Sequence, residues 1–304
     1  MKHNVLITGG AGRLGRYVAD ELRTVSEVTL FDRFAPDETP FPWETDLKFV
    51  KGDLISLGDC MRAITLAEAD VIVHLGAIPN PTDQQPGKKT IQTRPEDLTM
   101  QSNVMGTYYL MDAARRLNVK KVIFASSYFT LGVGNRISGT PFEVEYLPLD
   151  ENHPCRTEDT YSLSKVLGEE IIHAYCRAYG IKGVALRLMG ISYPFRMHPT
   201  NITPQAPENG GGSFVSSTHQ YVDCRDIAYV CRLALEKDLD SEFEPFFVVT
   251  DNQYAGKPKD VIAAAYPKLK DMAANIPDDE GVISCRKLKD MLGYESQYTW
   301  KKQK

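Results

Sequence analysis

In the first half of the chain, short apolar runs alternate with segments whose apolar residues recur every three or four positions. Val5-Leu6-Ile7-Thr8 reads as a strand, and Leu14, Val18 and Leu22 lay an apolar stripe along a helix over Arg13–Thr24. A second strand ends in Thr29-Leu30-Phe31-Asp32, and Leu47–Val50 is a short third. Ser56–Ala67 reads as a helix, and the nearly unbroken apolar run Ala69–Leu75 as a central strand buried on both faces. The pattern continues with a helix over Leu98–Asn118, a strand over Lys120–Ser126, a helix from Tyr161 to Tyr179 and a strand over Val184–Leu188. Asp226–Glu236 and Pro245–Val249 add a last helix and strand. Alternation of this kind predicts an α/β protein with a doubly wound parallel sheet. Residues 1–188, rejoined by 221–250, form its main domain, and 189–220 with 251–304 form a small C-terminal lobe whose helices cover the crevice.

The first turn carries the chemistry. Gly9, Gly12 and Gly15 follow a strand and open a helix, where backbone can approach an anion and free N–H groups carry the positive end of the helix dipole. A plain glycine turn is the alternative, but Asp32 ends the next strand 17 residues after Gly15, where a dinucleotide fold takes the ribose hydroxyls. A carboxylate there repels a 2′-phosphate, so the cofactor reads as NAD; Arg33 beside it could accept that phosphate.

Further on, Tyr161 and Lys165 stand four apart and share a helix face. A phenol is a poor base at neutral pH, and a nearby ammonium would lower its pKa, so that Tyr161 could take an alcohol proton. Ser127, at a strand's carboxyl end, could bond the same substrate oxygen. An exposed helix pair is the bland reading of Tyr161 and Lys165; the upstream glycine turn and serine favour the chemical one. His74 lies inside an apolar strand and reads as a core histidine. The glycine run Asn209–Ser213 stands between no strand and helix and reads as a loop.

Composition narrows the classes. The 304 residues are 42% hydrophobic with net charge −5, which fits a globular chain and argues against nucleic acid or an anionic membrane as the main partner. No run of 18 apolar residues occurs, and no apolar leader opens the chain. Six scattered cysteines without a C-x-x-C suit reduced thiols in a cytoplasm better than disulfides or a metal site.

With these residues in view, the chain resembles the extended short-chain dehydrogenase/reductases, or NAD-dependent epimerases/dehydratases. The likeness runs through TGGAGRLG at 8–15, Asp32, GDL at 52–54, HLGA at 74–77, NVMGT at 103–107 and ASS at 125–127. It continues in LDENHP at 149–154, YSLSK at 161–165, YVDCRDIA at 221–228 and KLKDMLGY at 287–294. The resemblance implies a Rossmann-type fold in which Gly9, Gly12, Arg13, Leu14 and Gly15 hold the pyrophosphate. Asp32 and Arg33 would meet the adenosine ribose, Asp53 and Leu54 the adenine, and Leu75, Gly76 and Ala77 the middle of the cofactor. Asn103 and Ala125 complete that set, and Lys165 would also hold the nicotinamide ribose. Ser127, Tyr161 and Lys165 would be catalytic, with Asn80, Tyr128, Arg187 and Gly190 joining Ser127 and Tyr161 around the substrate. The resemblance further implies a homodimer through the helices at 98–118 and 161–179, with Tyr108, Met111, Tyr175 and Tyr179 at the contact.

Family members that act on nucleotide sugars often carry V-Y-G where this chain has Thr130-Leu131-Gly132, and an asparagine where it has Gly190. The stretch from Arg187 to Tyr221 is short for a uridine diphosphate site. HLGA, the serine pair and the glycine after Arg187 are more similar to the uronate dehydrogenases, although the 133–146 loop is longer than expected there. The expectation is an NAD-dependent dehydrogenase of a small sugar or sugar acid. A nucleotide-sugar 4-epimerase is the alternative, and a non-catalytic NAD-sensing protein a third, disfavoured by the intact Ser127, Tyr161 and Lys165. Whether His198 or His219 meets substrate or solvent is open, with solvent favoured.

Overall fold

A computed structural model describes residues 2–83, 95–194, 219–254 and 256–302. Seven strands form one wholly parallel sheet in the order β3-β2-β1-β4-β5-β6-β9. They are β1 (Asn4–Thr8), β2 (Glu27–Asp32), β3 (Lys48–Lys51), β4 (Val71–His74), β5 (Lys121–Ser127), β6 (Lys182–Leu188) and β9 (Phe243–Val248). The order reverses between β1 and β4, so a crevice opens there at the strands' carboxyl ends, the usual place for ligands in such sheets. A small second sheet joins β7 (Ile191–Ser192), β8 (Gln220–Asp223) and β10 (Asp251–Asn252).

Strand alternation divides the core. Val5 and Ile7 of β1 face α1 (Arg13–Leu22) and α6 (Cys224–Glu236), while Leu6 packs with Phe31, Ile72 and α2 (Leu57–Ala67) on the other side. That second side also takes the helices before β5 and β6. Here the expected single helix over 98–118 is α3 (Leu98–Met100), a π-helical stretch Gln101–Met105 and α4 (Gly106–Arg116). The widened turn centres on Asn103, whose amide bonds the backbone of Ile78. Next, α5 (Thr160–Tyr179) starts where Asp159 accepts a hydrogen bond from the Ser162 N–H at 2.9 Å. That cap sets Tyr161 and Lys165 at the crevice end of the helix.

Two expectations are corrected. Met111 is fully buried among the α2, α4 and α5 side chains and cannot serve a subunit contact, whereas Tyr108 and Tyr179 are exposed. The tail, with α7 (Pro258–Ala265), α8 (Lys270–Ala273) and α9 (Arg286–Leu292), does not line the crevice among the described residues. Its apolar positions Ile262, Ala273, Leu288 and Leu292 are taken up by the core beside α6. Of the remaining expectations, the loop Asn209–Ser213 and His198 lie outside the described residues; His219 is half-buried, just before β8.

Candidate active site

The crevice, about 500 Å³, runs from the glycine turn to the ends of β5 and β6. At one end the backbone makes the site. Gly9 has φ of +67°, and a Cβ there would lie 2.7 Å from the Gly76 nitrogen. A Cβ on Gly15 would come within 2.5 Å of the Gly9 and Gly10 carbonyl oxygens. Side chains are therefore excluded on both sides of the turn, leaving a bare cradle at the start of α1 that fits a diphosphate. Asp32 accepts hydrogen bonds from the backbone N–H of Ala11 (3.2 Å) and Arg33 (2.7 Å), and burial pushes its pKa up. Arg33 lies at the rim with its guanidinium 5.9 Å from the Phe34 ring centroid. Gly12, Arg13, Leu14, Asp53, Leu54, Leu75, Gly76 and Ala77 also line this half.

His74 holds the middle of the crevice from beneath. The Thr107 hydroxyl donates to the Asn103 carbonyl at 2.6 Å, so it accepts from His74 Nε2, and Nδ1 accepts from the Thr8 hydroxyl at 2.7 Å. Thr8 Oγ1 in turn accepts from the Gly76 N–H. Burial drives the pKa of this imidazole down to about 3, so it stays neutral and acts as a core histidine.

At the other end, three consecutive residues of β5 are tied to α5. The Lys165 ammonium donates to the Ala125 carbonyl at 2.7 Å, the Ser126 hydroxyl to the Glu169 carboxylate, and Ser127 shares a hydrogen bond with Tyr161. Lys165 Nζ lies 5.7 Å from the Tyr161 ring centroid. Burial pushes the Tyr161 phenol up to about 12, only partly opposed by the Ser127 hydrogen bond. Burial also pulls Lys165 down to about 8, against the pull of Glu169. The phenol thus moves opposite to the direction expected from a nearby ammonium, because loss of water around its charged form dominates.

Three expected residues do not line the crevice. Arg187 is buried and bidentate to Glu169, with Nε–Oε1 at 3.0 Å and Nη2–Oε2 at 2.8 Å, and it donates a third bond to the Glu151 carbonyl. Alternation along β6 sends Arg187 toward α5, while Leu188 reaches the crevice. Asn103 spends its amide on Ile78 and on the Ser164 hydroxyl, holding the loop after β4 rather than a ligand. Asn80 is exposed, and its carbonyl accepts from Thr99. Ala125, Tyr128 and Gly190 do line it. So do Ser102, Phe129, Met189, Ile191 and Tyr193, which carried no sequence signal; only their neighbours' motifs pointed to these strand ends.

This arrangement has a family. The profile of the NAD dependent epimerase/dehydratase family matches residues 5–244. The chain belongs to that family. Among its relatives, a putative UDP-glucose 4-epimerase of Methanocaldococcus jannaschii is 31% identical over 196 residues, covering 64% of this chain and 58% of that protein. The uronate dehydrogenase of Pseudomonas syringae is 30% identical over 193 residues, covering 63% and 60%. The match thus spans less than two thirds of either relative. The NAD-dependent glucose-6-phosphate dehydrogenase of Haloferax volcanii is 26% identical over 257 residues, covering 83% and 87%. A short-chain dehydrogenase/reductase superfamily protein from Agrobacterium tumefaciens, solved with bound NAD, superposes with TM-score 0.65 at 24% identity, covering 97% of this chain and 93% of the other. At that identity the likeness shows the fold alone. In this chain the cradle and Ser127, Tyr161 and Lys165 line one crevice. No described helix is long and apolar enough to cross a membrane.

Proposed function

We propose that this family member is an NAD-dependent oxidoreductase acting on a hydroxyl of a small sugar or sugar acid. The observation that carries the reading is that Ser127, Tyr161 and the buried Lys165 ammonium, 5.7 Å from the Tyr161 ring centroid, line one crevice with the glycine cradle. The residues fit NAD: the cradle takes the pyrophosphate, Asp32 the adenosine ribose, and Lys165 the nicotinamide ribose. When bound, NAD supplies the hydride acceptor and a positive ring. The proton steps belong to this chain. Ser127 orients the substrate oxygen, Tyr161 Oη receives its proton, and the Lys165 ammonium favours the phenolate through charge. Asp32 makes NAD preferred over NADP.

Gly190 lines the crevice at the end of β6, and it carries no side chain to narrow the space beside Ser127 and Tyr161. The substrate side begins at Met189, Gly190, Ile191 and Tyr193, which line the crevice after β6, while the tail from 256 on packs beside α6. A homodimer forms through α4 and α5, where Tyr108, Leu163 and Tyr179 are exposed, with Met105 exposed just before α4. Six free thiols, five of them buried, suit a cytoplasmic setting.

The second reading, a nucleotide-sugar 4-epimerase, is favoured by the Methanocaldococcus jannaschii relative. It uses the same hydride step twice. The deciding experiment offers NAD with D-glucuronate, D-galacturonate, D-glucose 6-phosphate or UDP-galactose, following NADH absorbance and the sugar products. Accumulating NADH with a free sugar acid or sugar phosphate supports the dehydrogenase; UDP-glucose without net NADH supports the epimerase. Neither signal removes both readings.

A further inference from the structure

Arg13 is the first residue of α1 and lines the crevice directly after the cradle glycine Gly12. Its guanidinium carbon lies 4.3 Å from the centroid of the Phe41 ring and 5.1 Å from that of Tyr193. These rings come from different segments, the proline-rich loop after β2 and the turn after β7, so the arginine links two sides of the crevice. The loop is itself fastened to the glycine turn, with buried Trp43 donating its indole N–H to the Ala11 carbonyl at 3.4 Å. Phe41 keeps a 48% exposed outer face while its ring covers the guanidinium.

Aromatic faces attract a guanidinium without consuming its N–H donors. A carboxylate partner would hold the arginine equally well but occupy the edge that grips an anion; among the described residues Arg13 has no such ion pair. The arrangement thus leaves the bidentate edge free beside a cradle already shaped for phosphate. We infer that Phe41 and Tyr193 are positioning residues that hold Arg13 ready for the diphosphate of the dinucleotide. This rests on the crevice being the NAD site. The two rings act through the arginine and need not touch the cofactor.

The test is calorimetric titration of the intact protein with NADH, ADP-ribose and uridine diphosphate. Phe41→Ala should weaken NADH and ADP-ribose by the same factor, about three- to fivefold for a partly exposed cation–ring contact. Phe41→Trp should restore the affinity, and Tyr193→Phe, which keeps the ring, should leave it unchanged. Arg13→Ala should weaken binding further, and adding Phe41→Ala to it should then cost nothing more, since coupled residues are not additive. Additive losses would give Phe41 a separate role and overturn the inference. So would a loss seen with NADH but not ADP-ribose, which would place the rings on the nicotinamide. A loss confined to uridine diphosphate would assign Arg13 to a substrate phosphate and overturn it as well. If the unaltered protein binds neither NADH nor ADP-ribose, the NAD reading itself falls, a result no variant is needed to see.

Discussion

The two ends of the crevice are built by opposite means. At the nucleotide end the cradle itself is backbone, made by the absence of side chains at Gly9 and Gly15, with Asp32 and Arg13 beside it. At the reaction end the backbone is ordinary strand and helix, and the work falls to side chains on β5 and α5 fastened rung by rung. The cradle should be damaged by adding atoms, the reaction end by removing them. The ends should also fail differently, through binding in the first case and through turnover or stability in the second.

The largest effect expected lies beneath the reaction end. Glu169→Ala leaves the Arg187 guanidinium buried without its partner, which should cost about 3–5 kcal/mol in chemical denaturation. A loss under about 1 kcal/mol would show that the pair does not brace β6 against α5. Next, Tyr161→Phe keeps the ring but deletes the acid–base oxygen, so turnover should fall by about two orders of magnitude. NADH affinity should hold, because the cradle is untouched; near-normal turnover would place the proton acceptor elsewhere.

The buried ammonium gives a pH signature. Lys165, pulled from 10.5 to about 8, binds fewer protons folded than unfolded between those values, so its contribution to stability rises with pH. Tyr161, raised from 10.0 to about 12, works in the opposite direction above pH 10 and closes the window. Between pH 8 and 10 the unaltered protein should gain about 2 kcal/mol relative to Lys165→Met. Parallel curves for the two proteins would mean that the lysine is not desolvated. Gly15→Ala should then lower NADH affinity by about tenfold, in the range of overpacking against rigid backbone, and leave the reaction end intact. Smallest is Asp32→Ala, expected to narrow the preference for NAD over NADP by roughly the worth of one charged hydrogen bond, severalfold to tenfold. If the unaltered protein already binds NADP as tightly, Arg33 governs the choice.

The same contrast explains what could be read without coordinates. The cradle lies within Thr8–Gly15, and a strand, a glycine turn and a helix are local events that neighbouring residues specify. Tyr161 and Lys165 share one helix turn, so their pairing was visible too. Arg187 was not legible in this way. It stands on a strand whose alternation could be assigned only once α5 lay on one face with Glu169 opposite. Asn103 is similar: its motif suggested a ligand contact, and only the loop at Ile78 shows where its donors and acceptor go.

By itself, then, the order of apolar and polar residues determined the alternating strands and helices, the parallel sheet, the phosphate turn and the tyrosine–lysine face, since each depends on contacts a few residues apart or on burial along one element. Tertiary structure alone decided that burial raises the Tyr161 phenol, that Arg187 serves Glu169, and that Phe41 and Tyr193 meet over Arg13. Desolvation and ion pairing depend on what the rest of the chain packs around a group, and the residues that do so here lie far from it in sequence.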